Sequence, residues 1–533
     1  VLNGIDGIPL HIFLSRYEPG YDMHYDADVI LIGAGHNGLV CAAYLAKAGL
    51  DVLVVERSHR IGGACVTEEL VPGCHFSTFA YNAHGPGPTI CRDLEIPTHA
   101  FEIVEPEPKL MSPFPDGDHI IWWGDAQKSA AGIARYGPSE VDGFFAYQEL
   151  MQRGKEIAQD LFLSSRPPTH AELYERYRGT PHQLVLEAML TRSHWDVLGD
   201  YFSSEKVKCA LARADDCGYP TAVGSLLAEV LESANDGAGI EGRSGIVRGG
   251  MGEISAALAA AARRFGATIR TESPVETVLV ENSRACGVRL LGGEELRAPL
   301  IVSNADPKRT FLRLVDAAHI PIAFRHQVQQ IKTRAGYMKY HAVLSATPKF
   351  TGLSPGMEIS AVRIAPTLEY YEQAWLDAQA GIPARQPILS LQFPTLCVPE
   401  MVTFGKQILG VWVRFAPILP RDGDWEVWRP RVVESIVQTI EQYAPGFREL
   451  IEWERLYTTA DIESETAITD ASIRHVDMTL DQLLHRRPLP AWSAYQTPLD
   501  GLWLCGSGTH PCGSVTGAPG HNAAKAILAA AAH

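Results

Sequence analysis

The chain carries no surplus of positive charge: 46 Lys and Arg stand against 62 Asp and Glu, a formal net charge of −16. No Lys/Arg run offsets that balance, which argues against nucleic acid as a partner. No run of about 18 uninterrupted apolar residues occurs either, so a membrane-spanning helix is not expected and only peripheral contact stays open. The ten cysteines (41, 65, 74, 91, 209, 217, 286, 397, 505 and 512) form no C-x-x-C and no close pair. Disulphide-reductase chemistry therefore has nothing to run on, and no Cys/His cluster has zinc-like spacing, so no metal is expected. Scattered free thiols fit a reducing compartment. The cytoplasm is the expected location, with a membrane-peripheral position or an organelle matrix left open. There is no internal repeat, no low-complexity tract and no Ser/His/Asp triad. Residues 1–25 lack a basic segment leading into a long apolar one, so no secretory or mitochondrial leader is expected there. That stretch is read as an N-terminal extension suited to a subunit contact, and a homo-oligomer is left open.

At 533 residues the chain is too long for one ordinary core and points to two or three structural regions. Its most informative stretch is Ile32-Gly33-Ala34-Gly35-His36-Asn37-Gly38. A short apolar strand, Val29 to Ile32, precedes it, and a small-residue helix, Leu39 to Ala48, follows. A second strand, Val52 to Val55, delivers Glu56, 18 residues beyond Gly38. This is the layout of a dinucleotide-binding βαβ unit. Gly33 serves the tight turn, Gly35 gives room for a pyrophosphate and Gly38 allows helix–strand packing. Glu56 can accept ribose hydroxyls, and the helix N-terminus offers free N–H groups to phosphate. No second G-x-G-x-x-G appears, so a separate NAD domain is not expected.

Past Glu56 run Arg57 and then Arg60-Ile61-Gly62-Gly63-Ala64, an extension that plain NAD domains do not have. Arg60 can offer a planar cationic fork to a pyrophosphate. At the far end a buried strand runs into Gly506. A glycine-rich loop through His510-Pro511, Val515 and Thr516 follows, and then a helix from about His521 to Ala532. Thr516 is the expected N-cap, and Pro519 suits a first helical turn.

These segments resemble the FAD-binding parts of the amine oxidase and phytoene desaturase superfamily. The pattern is most similar to the phytoene desaturase-like branch, within it the group named after pyridine nucleotide-disulphide oxidoreductase domain-containing protein 2. The resemblance implies an α/β fold: a Rossmann-like FAD-binding domain of glutathione reductase/amine oxidase type, interleaved with a mixed antiparallel-sheet and helical substrate domain. The expected FAD domain is 26–100, 245–312 and 490–533; the expected substrate domain is 101–244 and 313–489. It implies FAD as cofactor, held by Gly33, Gly35, Asn37, Gly38, Glu56, Arg57, Arg60, Gly62, Gly63, Ala64, Val275, Gly506, Val515 and Thr516. Val275 is the expected adenine contact. Val476 after His475, and Cys512 and Ser514 after His510-Pro511, depart from the family's glycine-rich pattern.

The expected activity is flavin-dependent dehydrogenation or desaturation of an apolar, isoprenoid- or polyene-like small molecule, the cofactor carrying the difficult chemistry. Amine oxidation, flavin-dependent isomerisation and a low-turnover regulatory role are the alternatives. Val515 and Thr516 stand where amine oxidases place aromatics, which weakens the first of these. Acid/base candidates are few. His475 and His510 lie in segments near the expected pocket, each with a hydrogen-bonding core role as its alternative. Lys339 lies on a strand that could approach the flavin; a solvated strand lysine is the ordinary reading. In the middle, 101–240 reads as helix-rich, with a helical stretch over about Pro181 to Tyr201. From 313 to 489, strands suit an antiparallel sheet closing a pocket.

Overall fold

A computed structural model describes residues 24–213, 219–234, 243–403 and 405–532. Most of the expected 1–25 extension and Cys217 lie outside the described residues. The first half contributes β1 (Val29–Ile32), α1 (His36–Lys47), β2 (Val52–Val55), β3 (Leu110–Pro113), β4 (His119–Trp122), α2 (Pro138–Phe162) and α3 (Ser225–Ser233). Next come α4 (Gly252–Arg264), β5 (Thr268–Arg270), β6 (Leu300–Ser303), β7 (Gly336–Leu344), β8 (Ala361–Ile364), β9 (Ile388–Gln392) and β10 (Gln407–Ala416). β11 (Ile451–Tyr457), β12 (Leu502–Leu504) and α5 (Ala518–Ala532) follow.

Five strands form a parallel sheet in the order β12-β6-β1-β2-β5. Its central strands β1, β2 and β6 are short, almost wholly apolar and rich in β-branched residues, as a sheet covered on both faces requires, while the edge strand β5 carries Thr268 and Arg270. Strand alternation divides them between two cores. Val29 and Leu31 join the core under α1, α4 and α5, while Ile30 and Ile32 face a hairpin of Val275–Glu281 and Arg284–Leu290. Small residues along α1 (Gly38, Ala42, Ala43, Ala46) let α4 and α5 pack directly on it.

Seven strands form the second sheet, β11-β7-β10-β9-β8-β3-β4, antiparallel except for the β8–β3 pair. Met338, Tyr340 and Ala342 of β7 and Leu409, Val411 and Val413 of β10 share a core with the helix Trp425–Tyr443. The intervening residues face the other way, toward the first sheet's ligand side. The two sheets alternate along the chain, giving the interleaved α/β architecture.

Local differences from the sequence reading have physical causes. Residues 101–122 are strands rather than helix, because prolines break the segment and His119-Ile120-Ile121-Trp122 pairs with β3. The helical stretch expected over about Pro181 to Tyr201 consists of two helices, Gln183–Thr191 and His194–Tyr201. Ser193 starts the second, its side chain accepting the Asp196 N–H at 3.0 Å. Cys41 and Cys505, 464 residues apart in sequence, are neighbours across α1 and the end of β12. Burial, and then the Cys41 thiol, push the Cys505 thiol well above its ordinary pKa.

Candidate active site

The turn after β1 is built by close backbone approach. Gly33 donates to Val55 O at 2.8 Å. A Cβ at Gly38 would lie 2.3 Å from Gly33 O, and one at Gly35 would lie 2.8 Å from Asn304 Nδ2. α1 begins at His36, three residues earlier than expected, and no side chain caps its N-terminus. Its first N–H groups and positive dipole end are left to a ligand. The buried Glu56 carboxylate accepts the Ala34 N–H at 2.8 Å and the Ser58 N–H at 2.9 Å. Gly62 donates to Ala34 O at 2.8 Å and bridges Gly35, so Gly62-Gly63-Ala64 lies alongside the first glycine turn.

Asn304, just after β6, donates to Gly33 O at 3.3 Å and braces this turn. It is not singled out in sequence; its position at the end of a parallel strand was the available signal. Ser273 donates to Glu56 O at 2.8 Å, which brings the hairpin strand starting at Val275 past the acid. Arg57 donates to the Ser464 carbonyl. Arg60 pairs with Glu68 and stands 3.8 Å from Glu465, so its fork is engaged by carboxylates.

The C-terminal loop closes on the same turn. Asn37 Nδ2 donates to Ser507 Oγ at 3.0 Å, and a Cβ at Gly506 would meet Asn304 O at 2.6 Å. Ser514 and Val515 hold left-handed backbone, φ 76° and 56°. For a β-branched residue this is strain of about 1–3 kcal/mol, of the kind that collects at ligand sites. α5 starts at Ala518 rather than near His521: Gly517 O accepts the His521 N–H at 2.9 Å. Thr516 therefore sits one residue before the cap, where its Oγ1 accepts the Ala518 N–H at 3.2 Å.

A cavity of 620 Å³ opens from this loop. His36, Ala64, Ser507 and Val515 line one end, and Tyr337, Ser390, Trp412 and Arg363 of the seven-stranded sheet line its wall. Phe144, Tyr147 and Met151 of α2 and Glu229 and Glu232 of α3 lie opposite. Asn37 Oδ1 and His36 Nε2 are sealed from solvent with no hydrogen-bond partner, the pattern of a site shaped for a polar ligand.

Lys339 on β7 is not the solvated strand lysine of the ordinary reading: it is 0% exposed. Its Nζ makes no hydrogen bond and lies 3.6 Å from the Tyr81 ring centre and 4.8 Å from that of Trp412. Burial first, and the Arg414 charge second, push its pKa well below the ordinary lysine value. Neither candidate histidine nor Lys339 is among the residues lining the cavity; Lys339 lies behind the Tyr81 and Trp412 rings that do. His510 is fully buried and its Nε2 shares a hydrogen bond of 2.9 Å with Leu161 O; burial lowers its pKa to about 4. His475, in left-handed backbone (φ 64°), is lowered to about 3 by burial and then by Arg487. Sequence reading missed the aromatic wall of Tyr81, Tyr337 and Trp412: pairing of β7 with β10 brings the last two together, and Tyr81 reaches Trp412 from a loop. Among the described residues no His, Cys, Asp or Glu cluster is arranged to hold a metal, and no helix is long and apolar enough to cross a membrane.

The glycine cradle, the unpartnered amide oxygen and imidazole nitrogen and the uncapped helix end fit an FAD, and fold and site together define an FAD-dependent oxidoreductase. The chain belongs to the flavin-containing amine oxidoreductase family, whose model matches residues 38–332. It is 33% identical to pyridine nucleotide-disulfide oxidoreductase domain-containing protein 2 of Rattus norvegicus, over 94% of this chain and 93% of that one. It is 24% identical to one of the limonene dehydrogenase chains of Castellaniella defragrans, over 94% of each. Phytoene desaturase (neurosporene-forming) of Cereibacter sphaeroides is 25% identical over 95% of each. Among solved structures, cyclohexylamine oxidase from Brevibacterium oxydans shares the fold at a TM-score of 0.57, with 16% identity over 95% of this chain and 99% of that one.

Proposed function

We propose that the protein dehydrogenates an apolar, isoprenoid- or polyene-like small molecule, introducing a carbon–carbon double bond. The observation that carries the reading is the continuous cavity joining the dinucleotide turn to a wall rich in aromatic side chains. Relatives described as limonene dehydrogenase and phytoene desaturase support the substrate class. Gly33, Gly35, Asn37, Gly38, Glu56, Gly62, Gly63, Ala64, Val275, Gly506, Val515 and Thr516 would hold the FAD, with Arg57 and Arg60 stiffening the adjoining loop through Ser464 and Glu68. Bound FAD supplies the hydride acceptor.

The chain's own residues have three tasks. The cavity wall orients two neighbouring C–H bonds and excludes water. Lys339 Nζ, whose pKa burial lowers, stands behind the Tyr81 and Trp412 rings rather than on the cavity surface and would take up, through a bridging water, the proton released as the other hydrogen leaves as hydride. Val515 and Ser507 shape the end of the cavity nearest the cofactor turn.

Amine oxidation is the second reading, favoured by the aromatic wall of Tyr81, Tyr337 and Trp412. Anaerobic mixing of holoprotein with a terpenoid panel and an amine panel separates them. Bleaching of the oxidised-flavin band by terpenoids is expected; bleaching by amines alone, with peroxide formed in air, would replace this proposal with the second reading.

A further inference from the structure

Strand register places Lys339, Trp412, Ser390 and Arg363 directly opposite one another across β7, β10, β9 and β8. Directly paired residues share a face, so these four form one row, of which Trp412, Ser390 and Arg363 line the cavity while Lys339 lies behind the Tyr81 and Trp412 rings. With strands about 4.8 Å apart, Lys339 and Arg363 stand on the order of 14 Å from each other along it.

Arg363 is 4% exposed and lines the cavity. Its Nη2 donates to the carbonyl oxygens of Ala210 at 2.5 Å and Cys209 at 3.4 Å. Those two acceptors engage one of its three nitrogens and neutralise none of its charge. Among the described residues no carboxylate is in ion-pair reach of it. The cavity's own carboxylates are engaged elsewhere: Glu232 lies 2.7 Å from Arg474, and Glu229 lies 3.3 Å from Arg213. A buried guanidinium is ordinarily paired, and its planar fork matches a carboxylate in two parallel hydrogen bonds. Holding the Cys209–Ala210 carbonyls alone would not call for a charge that faces the ligand space.

We infer that the substrate is an apolar acid, its carboxylate docked on Arg363 and its reacting carbons lying toward Lys339. This rests on the dehydrogenase reading and narrows it: an unsubstituted hydrocarbon would leave Arg363 without a counter-charge. Apolar and aromatic side chains, among them Leu110, Trp122, Phe144 and Leu211, serve the body of such a molecule.

Calorimetric titration of the FAD-loaded protein with farnesoic acid, farnesol and farnesyl phosphate tests it. The acid is expected to bind about tenfold or more tightly than the alcohol. R363Q should remove that preference, read as the ratio of acid to alcohol affinity within each protein, and R363K should keep part of it. Equal binding of acid and alcohol, no binding of the acid, or an undiminished preference in R363Q would each overturn the inference. Tighter binding of the phosphate than the acid would overturn the carboxylate assignment. Should R363Q fail to fold, the wild-type comparison together with R363K decides. Flavin bleaching separates the two levels. Acid binding without bleaching would remove the dehydrogenase reading, whereas equal bleaching by neutral terpenoids in wild type and R363Q would remove only the acid.

Discussion

Lys339 shows how much a residue's role depends on what its strand packs against. A lysine in an alternating strand ordinarily faces water, yet here the alternation turns it under Tyr81 and Trp412 with no hydrogen-bond partner. An amine whose pKa burial lowers becomes a competent base once it has lost its proton. The rate of anaerobic flavin reduction should therefore rise with pH through an ionisation below the ordinary lysine value. In K339M that limb should vanish and the rate fall by about 10²–10⁴-fold; stopped-flow absorbance across neutral to alkaline pH measures both, and identical profiles would deny Lys339 the role. Gly33, Gly35, Gly38 and Glu56 were legible in sequence because fixed spacing carries their chemistry. Arg363 and Trp412 were not. Nothing in a strand's own residues says which of its two faces meets solvent and which meets a ligand.

Elements were legible where pattern and packing agree. β1 and β2 fall where their apolar runs predict, because a parallel strand buried on both faces needs nothing else. Helix starts drifted by about a turn because Gly35 and Gly517 carry no capping side chain to mark them. The crossing of α5 over α1 depends on one position. A Cβ at Gly520 would stand 2.1 Å from Asn37 O and 3.1 Å from Cys41 N, both backbone atoms that cannot step aside. G520A should force the helices apart, destabilise the protein by about 1–3 kcal/mol and strip flavin by disturbing the Asn37–Ser507 bond. G87A, where a Cβ would meet nothing within 4 Å, should change stability by less than about 0.5 kcal/mol. Thermal melting and the flavin-to-protein absorbance ratio distinguish the pair.

At the scale of the whole molecule, buried neutral histidines set the response to acid. Burial is the leading cause that lowers His36, His341 and His475 to about 3 and His194 and His510 to about 4, against 6.5 when unfolded. Between those limits the unfolded chain binds protons that the folded one refuses. Stability from these groups is complete above pH 6.5 and falls as pH drops toward 4. Melting temperatures at constant ionic strength should decline as pH falls from 6.5 toward 4; no decline across that window would contradict the burial of these rings. The interleaving of the two sheets was legible at this scale because motif-bearing segments sit at both ends and the middle of the chain. Between 101 and 122, β3 escaped because it pairs with β8 more than 200 residues later, which no local pattern records, and β4 is held as its hairpin partner.

The Asn37–Ser507 hydrogen bond spans 470 residues. On a ribosome adding about 5–20 residues per second, the glycine turn emerges on the order of half a minute or more before the loop that completes it. β1 must meanwhile wait for β6, and β6 for β12, with one edge of β1 uncovered. Cofactor capture is thus among the last events in making this protein, and the half-finished chain is the form most in need of a chaperone.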